Sequence, residues 1–302
     1  MVPVMRLLTL YFVLMWMLAA VVEAVPLPVA ALHPLMADLA RQVGGDQVRV
    51  FDLVGEGGNP HRFEPKPEDL QKMHDSRLIL AAGKNVETYL PRLRETMKGV
   101  PIVEVGRTIP SLTVGKDAVY ACCPVHAAGA LDPHWWHGVE NMRRGARVVA
   151  DALGEQDPAN KAVYLERAAT YGKRLGELKD WARRELGKIP QKQRKMVTAH
   201  NAFAYFAKEY GFEVIAVAGL TKEQNTAPQE MARTITAIKA AGVKTIFPEV
   251  DANRKSVEAI SRETGVSIGG ALIADGNGTG ADAGFEGMIR HNARVLAASL
   301  AP

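Results

Sequence analysis

Cysteine is scarce in this chain, which has only two in its 302 residues. The two are adjacent, Cys122 and Cys123, and adjacent cysteines rarely bridge each other without strain. A framework of disulfide bonds is therefore not expected, and the stability of the fold must come from packing.

Long apolar runs are also rare. The one such run extends from Leu7 to Val22, follows the positive charge of Arg6 and leads into the small-residue end Val22-Glu23-Ala24. This pattern predicts a cleaved signal peptide over residues 1–24, and the run is short for a membrane span. No cysteine follows the predicted cleavage point to carry a lipid. We therefore predict a soluble, exported protein of the periplasm.

Charge of one sign is not concentrated anywhere in the chain. The net charge is +4, and the 37 lysines and arginines are dispersed among 33 aspartates and glutamates. Nucleic acid is accordingly not predicted as a partner. A glycine-rich phosphate loop is also missing, so Trp135 and Trp136 are interpreted as packing residues rather than as a platform for a cofactor.

An alternation of short apolar segments with amphipathic segments is present, and it is typical of parallel sheets covered by helices. It occurs from Val29 to Val105 and again from Lys195 onwards. Between the two, apolar residues recur every three or four positions from Asp157 to about Lys188, which predicts one long helix. The predicted fold is α/β, with two lobes that each contain a mostly parallel sheet. The predicted lobes are residues 25–156 and 190–302, joined by a linking helix over residues 157–189.

A histidine-rich motif lies at 131–137, Leu-Asp-Pro-His-Trp-Trp-His. We predict that a helix begins there and extends to Leu153, so that His134 and His137 lie on one helical face. Either both imidazoles bind a metal, or one binds while the other packs, and the motif leaves both open. The helical zinc motif with a spacing of four and an adjacent glutamate is not present.

Other candidate ligands follow predicted strands, where open α/β sheets place their binding sites. His61 lies in a turn-rich loop after the second strand, His200 directly follows Met196 to Ala199, and Asp275 follows Ala271 to Ala274. Their positions predict a site built from several strand ends.

Four motifs together resemble a known family. They are Asn59-Pro60-His61 with Glu64 to Leu70, Asp132 to Trp135, Ala199 to Phe206, and Ile246 to Glu249 with Leu272 to Asp275. In this order they are similar to the zinc- and manganese-specific solute-binding proteins of ABC transporters, over nearly the whole mature chain. The resemblance implies two α/β lobes, one long helix between them and a metal in the cleft.

The resemblance also implies the ligands. His61 and His134 would bind the metal from the N-terminal lobe, and His200 and Asp275 from the C-terminal lobe. His137 has no ligand counterpart in the family, and Glu249 resembles a carboxylate behind the site that would orient an imidazole. A histidine at position 200 goes with zinc in the family, and three imidazoles with one carboxylate suit zinc.

The expected function is capture of zinc and its delivery to a membrane permease, with a periplasmic metal donor as a further partner and a monomeric state. The protein is expected not to be an enzyme. The alternatives are a manganese-binding or other divalent-metal-binding protein of the same kind and a secreted zinc hydrolase. The loop before the second ligand is short and contains Cys122, Cys123 and His126, which form either a transient acquisition site or an ordinary loop.

Overall fold

The computed structural model describes residues 25–113, 131–198, 202–216, 228–251 and 254–302. The predicted signal peptide and Cys122, Cys123, His126 and His200 lie outside these ranges. Within them, no helix has the length and apolar character needed to cross a membrane.

The N-terminal lobe is built on a parallel sheet of four strands. The order across the sheet is β2-β1-β3-β4, and every pair is parallel. Helices connect successive strands of this lobe. The elements are β1 (Leu27–Ala31), α1 (Pro34–Gly44), β2 (Val48–Asp52), α2 (Pro67–His74), β3 (Leu78–Ala81), α3 (Leu90–Thr96) and β4 (Ile102–Glu104).

The sequence pattern predicts a helix from Val86 to Met97, but α3 begins only at Leu90. Glu87 is buried, and its carboxylate accepts hydrogen bonds from the backbone N–H groups of Ala82 at 2.7 Å and Gly83 at 3.0 Å. Lys84 and Asn85 have positive φ angles of 55° and 65°. This turn replaces the first part of the predicted helix.

Two long helices follow the N-terminal sheet, α4 (Val139–Gln156) and α5 (Lys161–Gly187). A 3-10 turn over Pro158–Asn160 precedes α5, in agreement with the predicted start of a long helix near Asp157. The apolar stripe of the linking segment is buried, because α5 packs against α4 and the last helix of the chain. Its buried members are Tyr164, Ala168, Tyr171, Leu175, Leu178, Ala182, Leu186 and Ile189.

The C-terminal lobe contains two pairs of parallel strands. Its strands pair in parallel as β5 with β6 and β7 with β8. The backbone N–H of Phe247, directly after β7, donates to the carbonyl of Val197 in β5 at 2.9 Å, so the order is β6-β5-β7-β8. The elements are β5 (Lys195–Thr198), α6 (Ala204–Tyr210), β6 (Glu213–Ala216), α7 (Pro228–Ala241), β7 (Thr245–Ile246), α8 (Arg254–Thr264), β8 (Ser267–Ile268) and α9 (Gly284–Leu300).

The predicted fold class is confirmed, since parallel sheets flanked by helices lie on either side of a long helix in the chain. The division into lobes at residues 156 and 189 stays a prediction.

Candidate metal centre

Three of the four predicted ligands come together. One nitrogen each of His61 and His134 and one carboxylate oxygen of Asp275 lie within 4.8 Å of one another. His61 Nε2 and Asp275 Oδ1 are 3.3 Å apart. Donor atoms at about 2.0 Å from a tetrahedral zinc ion are separated by about 3.3 Å. These two side chains therefore have the spacing that a single small ion requires.

His61 is placed by a turn in the loop between β2 and α2. The Asn59 side chain accepts a hydrogen bond from the backbone N–H of His61 at 2.9 Å. The amide of the same Asn59 donates to Asp251 of the C-terminal lobe at 3.1 Å. One asparagine thus fixes the backbone of a candidate ligand and also connects the two lobes.

His134 is oriented by Asp132, a role that the sequence analysis did not predict. Asp132 Oδ1 lies 2.8 Å from His134 Nδ1 and accepts the backbone N–H of His134 at 2.9 Å. Both residues are buried. A carboxylate on Nδ1 keeps the proton there and leaves Nε2 as the metal-binding nitrogen, and it raises the basicity of the ligand. The signal was present in the motif, as an aspartate two residues before the histidine.

Replacing Asp132 should weaken metal binding. We expect Asp132→Asn to reduce zinc affinity about 10-fold and Asp132→Ala up to about 100-fold, because the imidazole loses its orienting carboxylate. Competition with a chromophoric chelator measures both values.

Asp282→Asn is the matched control, since Asp282 Oδ2 lies 2.9 Å from Nδ1 of His291 in a pair outside the cluster. Equal losses of affinity in the Asp132 and Asp282 variants would contradict the orienting role.

Asp275 lies in a loop that packs against both lobes. Trp136 donates its indole N–H to the carbonyl of Ala274 at 2.9 Å. Asn292 of α9 accepts from the backbone N–H of Ile273 at 2.9 Å and donates to its carbonyl at 2.8 Å. The predicted strand immediately before Asp275 is reduced to an isolated bridge between Leu272 and Glu249. The side chains of Trp136 and Asn292 therefore fix this backbone, in place of the longer strand that was predicted.

Glu249 is buried and its backbone pairs with that of Leu272, three residues before Asp275. Its predicted role of orienting a ligand stays a prediction. His200 lies beyond β5, outside the described residues.

The helix predicted to begin at His134 was wrong in its first turn. Trp135–His137 form a 3-10 turn, and α4 begins only at Val139. Gly138 is an extended residue between the turn and the helix, so both histidines lie before α4 and neither is on a face of that helix. His137 is buried with its ring 4.6 Å from that of Phe203. It is not part of the ligand cluster found in the described residues.

Two further buried histidines, His33 and His137, lie near the cluster. Burial lowers the pKa of His33 and of His137 to about 3, against an opposing effect of the Asp275 carboxylate on both. Both imidazoles are therefore neutral near pH 7.

Two α/β lobes, a long helix and a cluster of histidines and a carboxylate drawn from both lobes define a metal-binding solute-binding protein. Residues 29–299 match the model of the family described as ZnuA, zinc-uptake complex component A, periplasmic, and the chain belongs to this family. Its members are solute-binding proteins of ABC transporters, not enzymes. The alternative of a secreted zinc hydrolase is thereby excluded.

Individual relatives are named for different metals. The manganese-binding lipoprotein MntA of Halalkalibacterium halodurans is 29% identical over 269 residues, which cover 88% of this chain and 86% of that protein. The iron-binding protein YfeA of Yersinia pestis is 30% identical over 241 residues, covering 80% and 75%. The solved structure of the periplasmic zinc-binding protein TroA of Treponema pallidum has a TM-score of 0.78 and 27% identity, covering 92% of this chain and 99% of that one. This protein therefore binds metal for an ABC transporter, and the relatives do not identify the metal.

Proposed function

We propose that this protein captures zinc in the periplasm, after removal of residues 1–24, and delivers it to the membrane permease of an ABC transporter. The observation that best supports metal capture is the cluster of His61, His134 and Asp275, with a separation of 3.3 Å between His61 Nε2 and Asp275 Oδ1. A periplasmic metal donor and a monomeric state complete the proposal.

His200 is the proposed fourth ligand and the one that decides the metal. With it, the site has three imidazoles and one carboxylate, a donor set typical of zinc. Four protein ligands would complete a tetrahedral shell. Residues 25–156 would contribute His61 and His134, residues 190–302 would contribute His200 and Asp275, and residues 157–189 would link the two lobes. Glu249 would orient a ligand from behind the site.

A manganese protein of the same kind is the second candidate, because MntA is named for manganese. A site with a second carboxylate in place of one imidazole would favour manganese.

Titration with zinc and manganese in competition, on the demetallated mature protein, tests the assignment. We expect one tight zinc equivalent that outcompetes manganese. His200→Ala should lower zinc affinity at least about 100-fold, the upper end of what a lost outer partner costs. His200→Glu should shift the preference towards manganese, because it replaces a nitrogen donor with oxygen.

His74→Ala is the matched control, since His74 is an exposed histidine at the end of α2. A tight zinc site that is indifferent to His200 would show that the ligands are misassigned. A wild-type preference for manganese would favour the second candidate.

A further inference from the structure

His33 is a buried histidine at the end of β1 that the ligand assignment leaves unused. It is the N-cap of α1, and its Nδ1 accepts a hydrogen bond from the backbone N–H of Leu35 at 3.1 Å. Because Nδ1 is the acceptor, the neutral ring carries its hydrogen on Nε2. That nitrogen is buried and has no hydrogen-bond partner in the described part of the chain. A buried donor without a partner is costly, so one is expected to have a use.

The packing places the neighbours of His33 against the loop that carries Asp275. The His33 ring lies 4.4 Å from that of Trp136, which holds the carbonyl of Ala274. On the other side of Asp275, a Cβ atom placed on Gly276 would lie 2.5 Å from Cγ of Leu35. The loop therefore lies close against the first turn of α1. The residues before and after Asp275 thus touch the neighbours of His33.

His33 is fully buried, and burial favours the neutral form of its imidazole. Because Nδ1 is the acceptor, the ring offers Nε2–H as a donor. The Asp275 carboxylate is the strongest influence that favours the charged form.

A hydrogen bond to a ligating carboxylate affects how the carboxylate binds. Asp275 Oδ1 faces His61 in the cluster. If Oδ2 also coordinates, the metal gains an oxygen donor and a higher coordination number, which suits manganese better than tetrahedral zinc. A donor on Oδ2 holds that oxygen in place and keeps the carboxylate to one metal bond.

We propose that His33 is a positioning residue for metal selectivity: its Nε2–H donates to Oδ2 of Asp275 when metal is bound, so that Asp275 binds through one oxygen and zinc is favoured over manganese. This inference rests on the proposed role of Asp275 as a ligand.

Two substitutions separate the two nitrogens of His33. His33→Asn keeps an acceptor near the position of Nδ1, so α1 remains capped, but it removes the distal donor. His33→Gln places an amide N–H near the position of Nε2 and gives up the cap. If His33 acted only through the cap, only His33→Gln would be impaired. Our proposal predicts instead that His33→Asn loses metal selectivity and that His33→Gln keeps it.

The measurements are the ratio of zinc to manganese affinity in competition and the visible absorption of the cobalt(II)-loaded protein, whose bands are strong only in tetrahedral coordination. We expect His33→Asn to lower the ratio about 10-fold and to weaken the cobalt bands. His33→Gln should retain most of both. Thermal melting of the metal-free variants reports the cap separately.

An unchanged ratio and an unchanged cobalt spectrum in His33→Asn would overturn the inference. Equal losses of zinc and manganese affinity, with the cobalt bands intact, would also overturn it. A wild-type protein that prefers manganese would instead refute the proposed zinc function. In that case the cobalt spectra of the two variants would still decide whether His33 controls the coordination of Asp275.

Discussion

Lowering the pH from about 7.5 to about 5 should reduce the free energy of unfolding of the metal-free protein by about 4 kcal/mol, because of His33 and His137. Burial lowers the pKa of each to about 3, whereas both would titrate near about 6.5 in the unfolded chain. Between these values the unfolded chain binds more protons than the folded one, so stability falls as the pH falls from about 6.5 towards 3. About 1.5 pH units below the unfolded pKa, each histidine accounts for about 2 kcal/mol.

Urea unfolding in the presence of a chelator, followed by tryptophan fluorescence at both pH values, measures this loss. The control is His33→Asn combined with His137→Leu, which keeps the cap of α1 and an apolar neighbour for Phe203. The difference between wild type and this variant cancels groups common to both, among them Glu87, whose pKa burial raises to about 7. The same pH dependence in both proteins would show that these histidines are not buried as neutral groups.

Truncation of Trp136 should cost about 3–5 kcal/mol of stability, because a fully buried indole is removed from the boundary between the lobes. The more informative change is Trp136→Phe, which keeps a ring but loses the hydrogen bond to the carbonyl of Ala274. It should cost about 1–3 kcal/mol. It should also lower zinc affinity, since the loop that carries Asp275 is then held less firmly.

The matched control is the neighbouring residue. Trp135 is equally buried and donates its indole N–H to the carbonyl of Ala82 at 3.0 Å, within the N-terminal lobe. Trp135→Phe should therefore lose a similar amount of stability in urea unfolding and leave zinc affinity unchanged. Equal losses of zinc affinity in both variants would mean that Trp136 acts through general packing rather than through the Asp275 loop.

Much of the architecture could be predicted because its signals are local. Strand and helix periodicities in β1 and α1 or in β5 and α6 depend on residues a few positions apart, and the apolar stripe of α5 is buried as its spacing predicted. Three predicted ligands also meet, as the family resemblance implied.

The sequence by itself determined two parallel sheets, the long helix and the residue types available for the metal. Only the tertiary structure decided which side chains face the cluster. A spacing of three suggested a shared helical face for His134 and His137, but both lie before α4, in and next to a 3-10 turn that the extended Gly138 separates from the helix. The links of Trp136 to Ala274 and of Asn59 to Asp251 join residues 138 and 192 positions apart. No local pattern encodes such contacts, because they depend on how the two lobes pack against each other.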